Sequence, residues 1–493
     1  MRKDDGVLEE VVTDNPVVAI LGFASIIVVL LLLIARYKWH VFIALLLPIL
    51  LFAFVPTIDT AVFIEAFESG FGSTIQSIAV IIVLGTMIGE ALRHSGAVER
   101  ITRSMMRIVG KSRMPLALTL AGFVVGLAVF SDVGYVILNP LVHVSAIEAR
   151  ASMALMATGL VGSMQLTHAV VPPTPGPIAA AAIVDADLGL LIIYGSLVTL
   201  VGSIAGYFYA RIIGTRIWSA PSEEFVTAKA GAGRSGGNSG SGGGGADGGD
   251  DSSSGDGDGD GDGVSSEHRM PSLGWAYAPI MIPLVLIGAS SVGNFVLEEG
   301  TALHSGLSFV GWPVFALGIG VLVAYVMAWR TRTVTETKTL KDTWVERSLR
   351  DSAMIIMVTG LGGALSQLLR ATPAVDVIAE RTLAIGIPAI FLPFVLGVLA
   401  NMITGSTTVG VITAASLTAP MLTTLGLSPE AAMLSGACGS VIIKYVNSSY
   451  FWVCMSLSRM NLRNALISFG GVTFVGGIFS MAGVVALWAL GVI

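Results

Sequence analysis

Apolar runs about 20 residues long recur along this chain, and they restrict its fold more than any other feature does. The first reads VVAILGFASIIVVLLLLIA, residues 17–35. As a helix, a run of this kind crosses a hydrocarbon layer about 30 Å thick while satisfying its own backbone N–H and C=O groups. Windows of that length give roughly a dozen crossings or near-crossings. Composition agrees. The chain is 54% hydrophobic and 12% charged, whereas soluble chains carry about 25% charged residues. A soluble fold is excluded, and an all-α, multi-pass protein of the plasma membrane is expected. The acidic start, MRKDDGVLEE, does not fit a cleavable signal peptide, which begins basic and has a shorter apolar stretch. Residues 17–35 are therefore expected as a retained helix.

One stretch breaks the pattern. THAVVPPTPGPIAAA, Thr167–Ala181, places four prolines in six positions where a membrane helix should continue. Proline has no backbone N–H and clashes with the preceding turn, so the chain is expected to unwind from Thr167 to Pro177. A broken helix in hydrocarbon strands polar backbone groups at a cost of several kcal/mol each. Such a break is tolerated where the freed groups face protein or a wet cavity. Three further interruptions stand out: FSDVG (130–134), TGSTTVG (404–410) and KYVNSSY (444–450). Glycine permits positive φ, and Ser and Thr satisfy loose backbone groups. Two re-entrant hairpins are expected, turning at Ser131–Gly134 and at 404–410. Two discontinuous helices are expected, unwound at Thr167–Pro177 and near 444–450.

These interruptions recur because the chain repeats. IGEALRHSGAVERI (88–101) aligns with LSQLLRATPAVDVI (365–378), SDVGYVILNP with TTVGVITAASLTAP, and VGSMQLTHAVVPP with CGSVIIKYVNSSY. The offset stays near ~277 residues through all three pairs, the mark of an internal duplication. Loop charge gives the orientation, because Lys and Arg concentrate in cytoplasmic loops. The loop 93–113 carries Arg93, Arg100, Arg103, Arg107, Lys111 and Arg113, whereas its counterpart at 370–388 has Arg370 and Arg381 offset by Asp376 and Glu380. Further on the bias reverses, with Asp185 and Asp187 opposite Arg459 and Arg463. Equivalent loops on opposite sides define inverted-topology repeats, a common design in secondary transporters. The basic stretch 330–350 reads as cytoplasmic too.

The expected layout is N-terminal transmembrane helices at 1–58, a first transport repeat at 59–218 and an acidic linker at 219–272. A transmembrane helix pair with a cytoplasmic loop (273–348) and a second repeat (349–493) follow. The linker contains GGGGADGGDDSSSGDGDGDGDG, 242–263, the composition of a disordered segment. Asp256, Asp258, Asp260, Gly261 and Glu267 fit a calcium-loop pattern, but the flanks are Gly, Ser and Asp where helices are required. The repeat generates the pattern by itself. Cys438 and Cys454 are too few for a disulfide framework or a zinc site. No metal or cofactor is expected. GSTTVG lacks the Lys-Ser/Thr ending of a phosphate-binding loop, and no nucleic acid partner is expected.

Where the breaks meet, helix N-termini would form an anion site, because free N–H groups and the helix dipole favour negative charge. Asp132 sits at a hairpin tip, and carboxylates at membrane depth are functional by default. Beside an anionic substrate it should be protonated or paired. His168 precedes the unwound segment, and its reference pKa near 6.5 suits proton uptake. Thr167, Thr174, Ser406, Thr407, Thr408, Asn447 and Ser448 offer hydroxyls and an amide to a carboxylate and its hydroxyls. Lys444 either pairs a carboxylate or snorkels to the surface. An intramembrane hydrolase built on Ser131, Asp132 and His168 is a distant alternative, but it leaves the two mirrored breaks unexplained.

FSDVGYVILNPLV, THAVVPPTPGPIAAA, NMITGSTTVGVITAA and KYVNSSYFW resemble the motifs of the gluconate permease family, proton symporters for sugar acids. The resemblance spans the chain except for the acidic linker. It implies an elevator-type transporter with two re-entrant hairpins, not an enzyme. The family usually has His where this chain has Thr174, and VND where this chain has Val446-Asn447-Ser448. The resulting expectation is proton-coupled symport of a sugar acid or related hydroxy-carboxylate. Ser131, Asp132, Thr167, His168, Thr174, Gly176, Ser406, Thr407, Thr408, Asn447 and Ser448 would bind substrate, and Asp132 and His168 would carry the proton. A sodium-coupled di- or tricarboxylate transporter of the same fold is the alternative. Expected partners are the small anionic substrate, a proton (or sodium), the lipid bilayer and a second copy of the chain. Single cysteines replacing Met105 and Glu380 should label from opposite sides of the membrane; labelling from one side would remove the case for inverted repeats.

Overall fold

The computed structural model describes residues 25, 29, 32, 33, 36, 37, 39–54, 59–110, 113–222, 270–298, 300–331, 344–371, 388–442, 444, 445 and 448–493. Most of 17–35, the acidic segment with its calcium-like pattern, most of the loop 370–388, and Asn447 lie outside the described residues. Among the described residues all regular structure is helical. Among the described residues, eight helical stretches are long and apolar enough to cross a membrane, and three shorter ones accompany them.

After α1 (Val41–Phe52), the first half runs from α2 (Thr60–His94) through α3 (Ala97–Val109), α4 (Met114–Val125) and α5 (Ser131–Glu148). It continues with α6 (Met153–Val170), α7 (Pro175–Val184) and α8 (Leu188–Gly214). A middle group follows, α9 (Leu273–Val296), α10 (Ala302–Val310) and α11 (Pro313–Arg330). The second half begins with α12 (Trp344–Arg370), α13 (Phe391–Thr404) and α14 (Thr407–Thr418). It ends with the short α15 (Leu422–Leu425), α16 (Pro429–Val441), α17 (Ser449–Leu457), α18 (Leu462–Ala465) and α19 (Gly471–Ala489). Each half thus presents a long helix, two helices joined by a tight turn, a helix that breaks and restarts, and a closing long helix. Side-chain caps start several of them: Asp59 accepts the N–H of Ala61, Ser152 that of Ala154 and Asp187 that of Leu190.

Two antiparallel helices, α2 and α12, form the most extensive pairing. Near one end Thr86 Oγ1 lies 2.8 Å from Ser352 Oγ. Near the other the backbones touch: a Cβ on Gly70 would fall 2.6 Å from the carbonyl oxygen of Gly363. In each half the first arm of the hairpin lies along the first part of the broken helix, α4 on α6 and α13 on α16.

The structure corrects two sequence expectations. The first hairpin turns at 126–130, and Ser131–Gly134 already form the first turn of α5. Asp132 is stable there because a carboxylate in the first turn complements the helix dipole. The arms also differ: α13 and α14 pack closely, whereas α5 leaves α4 and lies against α6 and α17. The second correction concerns the proline stretch, where the break is confined to 171–174. Thr167 and His168 remain in α6, while Pro175, Gly176 and Pro177 form the first turn of α7. The first N–H groups of a helix have no intrahelical partner, so proline removes nothing there.

Against these turns lies α2, close enough to require glycine. A Cβ on Gly85 would sit 2.8 Å from the carbonyl oxygen of Pro173, and one on Gly89 would sit 2.7 Å from that of Ala128. Gly89→Ala should therefore force the first hairpin turn away from α2 at a cost of about 1–3 kcal/mol. The measurement is the thermal unfolding temperature of detergent-purified protein; an unchanged value would show that the turn yields freely.

Candidate substrate site

Three restarted helices point their N-termini into one cavity of about 290 Å³. Ser131 and Asp132 come from the start of α5, Ser406, Thr407 and Thr408 from α14, and Ser448, Ser449 and Tyr450 from α17. Phe130, preceding α5, and Ser448, preceding α17, give no side-chain cap. The first amide groups of those helices are therefore open to a ligand. At α14 the Ser406 hydroxyl takes the N–H of Val409, leaving those of Thr407 and Thr408. Such an arrangement can hold an anion with backbone alone.

A cation completes it. Lys444 lies in the second break, 3% exposed, so it is buried and does not snorkel. Its Nζ donates to Asn401 Oδ1 and to the carbonyl of Gly405, both at 2.9 Å. An ammonium has three donors, and the third remains for the cavity that Lys444 lines. Asn401 is itself fixed by donating to the carbonyl of Ile442. The tip residue Gly405, at φ +71°, occupies left-handed backbone, where only glycine is unstrained.

A side-chain bridge joins the two hairpin tips. Ser131 Oγ donates to Gln165 Oε1 at 2.9 Å, and Gln165 Nε2 donates to Thr407 Oγ1 at 3.0 Å. At its far end α5 is anchored by His143, which accepts the Ser222 N–H and donates to the carbonyl of Leu457. Tyr135 adds a hydroxyl contact to Ser458. His168 is buried against Phe130, ring centroids 5.3 Å apart, and its Nδ1 has no hydrogen-bond partner among the described residues. The carboxylate of Asp132 is half-buried and faces two spaces. One is this cavity, and the other is a continuous space of about 340 Å³ running along α12 from Val358 to Asp351.

Of the residues expected from sequence, Ser131, Asp132, His168, Ser406, Thr407, Thr408 and Ser448 line the cavity. Thr167, Thr174 and Gly176 do not. The Thr167 hydroxyl returns to the carbonyl of Ser163, and that of Thr174 closes the break by donating to the carbonyls of His168 and Val171. Gly176 lies where a Cβ would approach the Thr408 backbone to 3.3 Å, so it sets the packing of α7 on α14. Gln165, Ser449 and Tyr450 were not expected. Gln165 sits mid-helix among apolar and small residues, and its one signal is an amide at membrane depth without charge or motif.

Helices that break inside an apolar body and offer open amides and a fixed cation to one cavity define a membrane transporter for small polar solutes. This chain belongs to the GntP family permeases, whose pattern matches residues 17–235 and 258–493. It is 28% identical to a gluconate permease of Pseudomonas aeruginosa over 95% of this chain and 96% of that one. It is 27% identical to the D-serine transporter DsdX of Escherichia coli K12, over 93% and 95%. The fold resembles the crystal structure of the Alcanivorax borkumensis YdaH transporter, with a TM-score of 0.54 at 17% identity over 88% and 90% of the two chains. The chain is thus a multi-pass plasma-membrane transporter, not an enzyme.

Gln165→Leu keeps the bulk and removes the bridge between the tips. Each lost hydrogen bond of this kind is worth about 1 kcal/mol. Substrate affinity should fall roughly tenfold, a change of about 1.4 kcal/mol. Equilibrium binding to the purified variant measures it; unchanged affinity would mean that packing alone holds the tips.

Proposed function

We propose that this chain carries a sugar acid or related hydroxy-carboxylate by proton-coupled symport. One observation carries the reading: the open N-termini of α5, α14 and α17 and the Nζ of Lys444 converge on a cavity that also holds Asp132 and His168. The amides and Lys444 take the substrate carboxylate. The hydroxyls of Ser406, Thr407, Thr408, Ser448 and Ser449 take its hydroxyls, being able to donate and accept.

Coupling follows from charge. An ionised Asp132 beside an anionic substrate raises the energy of the loaded state, and a proton on Asp132 removes that repulsion. Substrate and proton then bind together better than either alone. A proton on His168 adds attraction of the same sign. The names of the two relatives support the substrate class, because gluconate and D-serine both place a polar substituent on the carbon next to a carboxylate. Asn447, outside the described residues, is proposed as a further ligand from its place in the break.

Asp132→Asn separates coupling from binding, because the amide keeps the shape and cannot take up a proton. The variant should bind D-gluconate and exchange it across proteoliposome membranes, yet fail to concentrate it under an inward proton gradient. His168→Gln is the parallel variant. In the wild type a proton ionophore should abolish accumulation and sodium removal should not. If both variants still concentrate substrate when driven by pH, the proton assignment falls, and sodium-dependent accumulation would make the chain a sodium-coupled carboxylate carrier.

A further inference from the structure

A second polar cavity, of about 320 Å³, lies between α2, α12 and the end of α7. It is lined by Ser73, Thr74, Ser77, Asp185, Ser366 and Gln367. Thr74 and Ser366 are 6% and 4% exposed, and neither hydroxyl has a hydrogen-bond partner among the described residues. Inside a helix such hydroxyls ordinarily bond back to the preceding turn, as Thr86, Thr102 and Thr119 do. Two hydroxyls that belong to buried residues and border one cavity are groups that water or a ligand can reach.

The approach to this cavity is polar. Glu65, Glu68, Ser69, Ser73, Gln76 and Ser77 are all exposed and recur at helical spacing along one face of α2. Hydrocarbon does not accept two carboxylates on such a face, so the stripe borders water or protein. It starts near the end of α2 remote from the basic residues Arg93 and Arg100.

The helix α12 runs past both spaces. Asp351 to Val358 line the extension of the substrate site, and Gly363 to Gln367 line the second cavity. Val358 and Gly363 are about 7.5 Å apart along the helix axis. Between them, a Cβ on Gly362 would fall 2.5 Å from Ser416 Oγ of α14 and 3.2 Å from Ile183 Cδ1 of α7. There α7 and α14 close against α12, making a thin wall between the mostly apolar extension of the substrate site and the polar second cavity. Along α12 the extension of the substrate site lies toward Trp344, and the second cavity lies toward Arg370.

We infer that the second cavity is a separate binding station for the hydroxylated chain of the substrate, on the opposite side of the α7–α14 wall. This inference rests on the sugar-acid reading proposed above. The lining determines which part of the ligand is recognised. Hydroxyls, an amide and a carboxylate suit a polyol, and no cationic side chain lines the cavity among the described residues. Asp185 repels a carboxylate and accepts from a hydroxyl. The station therefore holds the polyol portion, whereas the substrate site holds the carboxylate.

The test is thiol labelling in intact cells with a membrane-impermeant reagent. Ser73→Cys and Ser77→Cys should react several-fold faster than Val201→Cys, which is exposed on the apolar face of α8; Cys438 and Cys454 are buried and stay silent. Both D-gluconate and the neutral polyol sorbitol should slow the reaction, and should still do so with Lys444→Ala, which disables the substrate site. Adding Thr74→Val and Ser366→Ala should remove the protection and leave labelling intact. Reaction no faster than at Val201→Cys would show lipid or a second chain on this face and overturn the station. Labelling with no protection, protection by gluconate alone, or protection lost with Lys444→Ala would each overturn it too. Sorbitol protection in a protein that fails to accumulate gluconate would separate this inference from the sugar-acid reading.

Discussion

Everything in this structure depends on backbone amides left unpaired inside an apolar body. A continuous membrane helix hides its N–H groups; a helix that restarts halfway exposes three or four of them. Four helices restart here, α5, α7, α14 and α17. Three open onto the substrate cavity, and the fourth is blunted, since Pro175 and Pro177 have no N–H to offer. The prolines therefore do two things. At 172 and 173 they stop α6, and at 175 and 177 they start α7 without stranding an amide. The cost of opening the backbone is met locally. Thr174 closes the carbonyls of His168 and Val171, and Lys444 closes that of Gly405.

Much of this was legible in the sequence, for a physical reason. Polar and helix-breaking residues inside 20-residue apolar runs are costly, so each marks a place where the helix is served by something else. That logic pointed to Asp132, the Ser406–Thr408 tip, the second break and Ser448, which the structure brings to one cavity. It overstated the first break by counting prolines without asking which would fall in a first turn, where proline is free. It also took Thr167 and Thr174 as ligands, because a hydroxyl that bonds its own backbone and one that faces a cavity look alike in a sequence. Gln165 and Asn401 were illegible for the opposite reason. Their partners, Ser131 and Thr407 for one and Lys444 and Ile442 for the other, are distant in the chain, and no periodicity announces an amide that bridges two tips.

The charged groups follow the same economy. Lys444 is tolerated in the interior because two acceptors and the open side of a polar cavity surround it; an unpaired buried ammonium would be prohibitive. Its position also explains why the site has one fixed cation and no arginine pair. The amides supply the rest of the positive potential without a side chain to desolvate.

The Gln165 bridge has an evolutionary consequence. Its two hydrogen bonds end on Ser131 in the first half of the chain and on Thr407 in the second. An amide held this way makes each half the other's cofactor, so neither can be exchanged for the matching half of a relative without carrying its partner along. Chimeric chains joined between residues 222 and 270 should lose function wherever the parents differ at 131, 165 or 407. Two separately expressed halves of this one chain, having every partner they need, should reassemble.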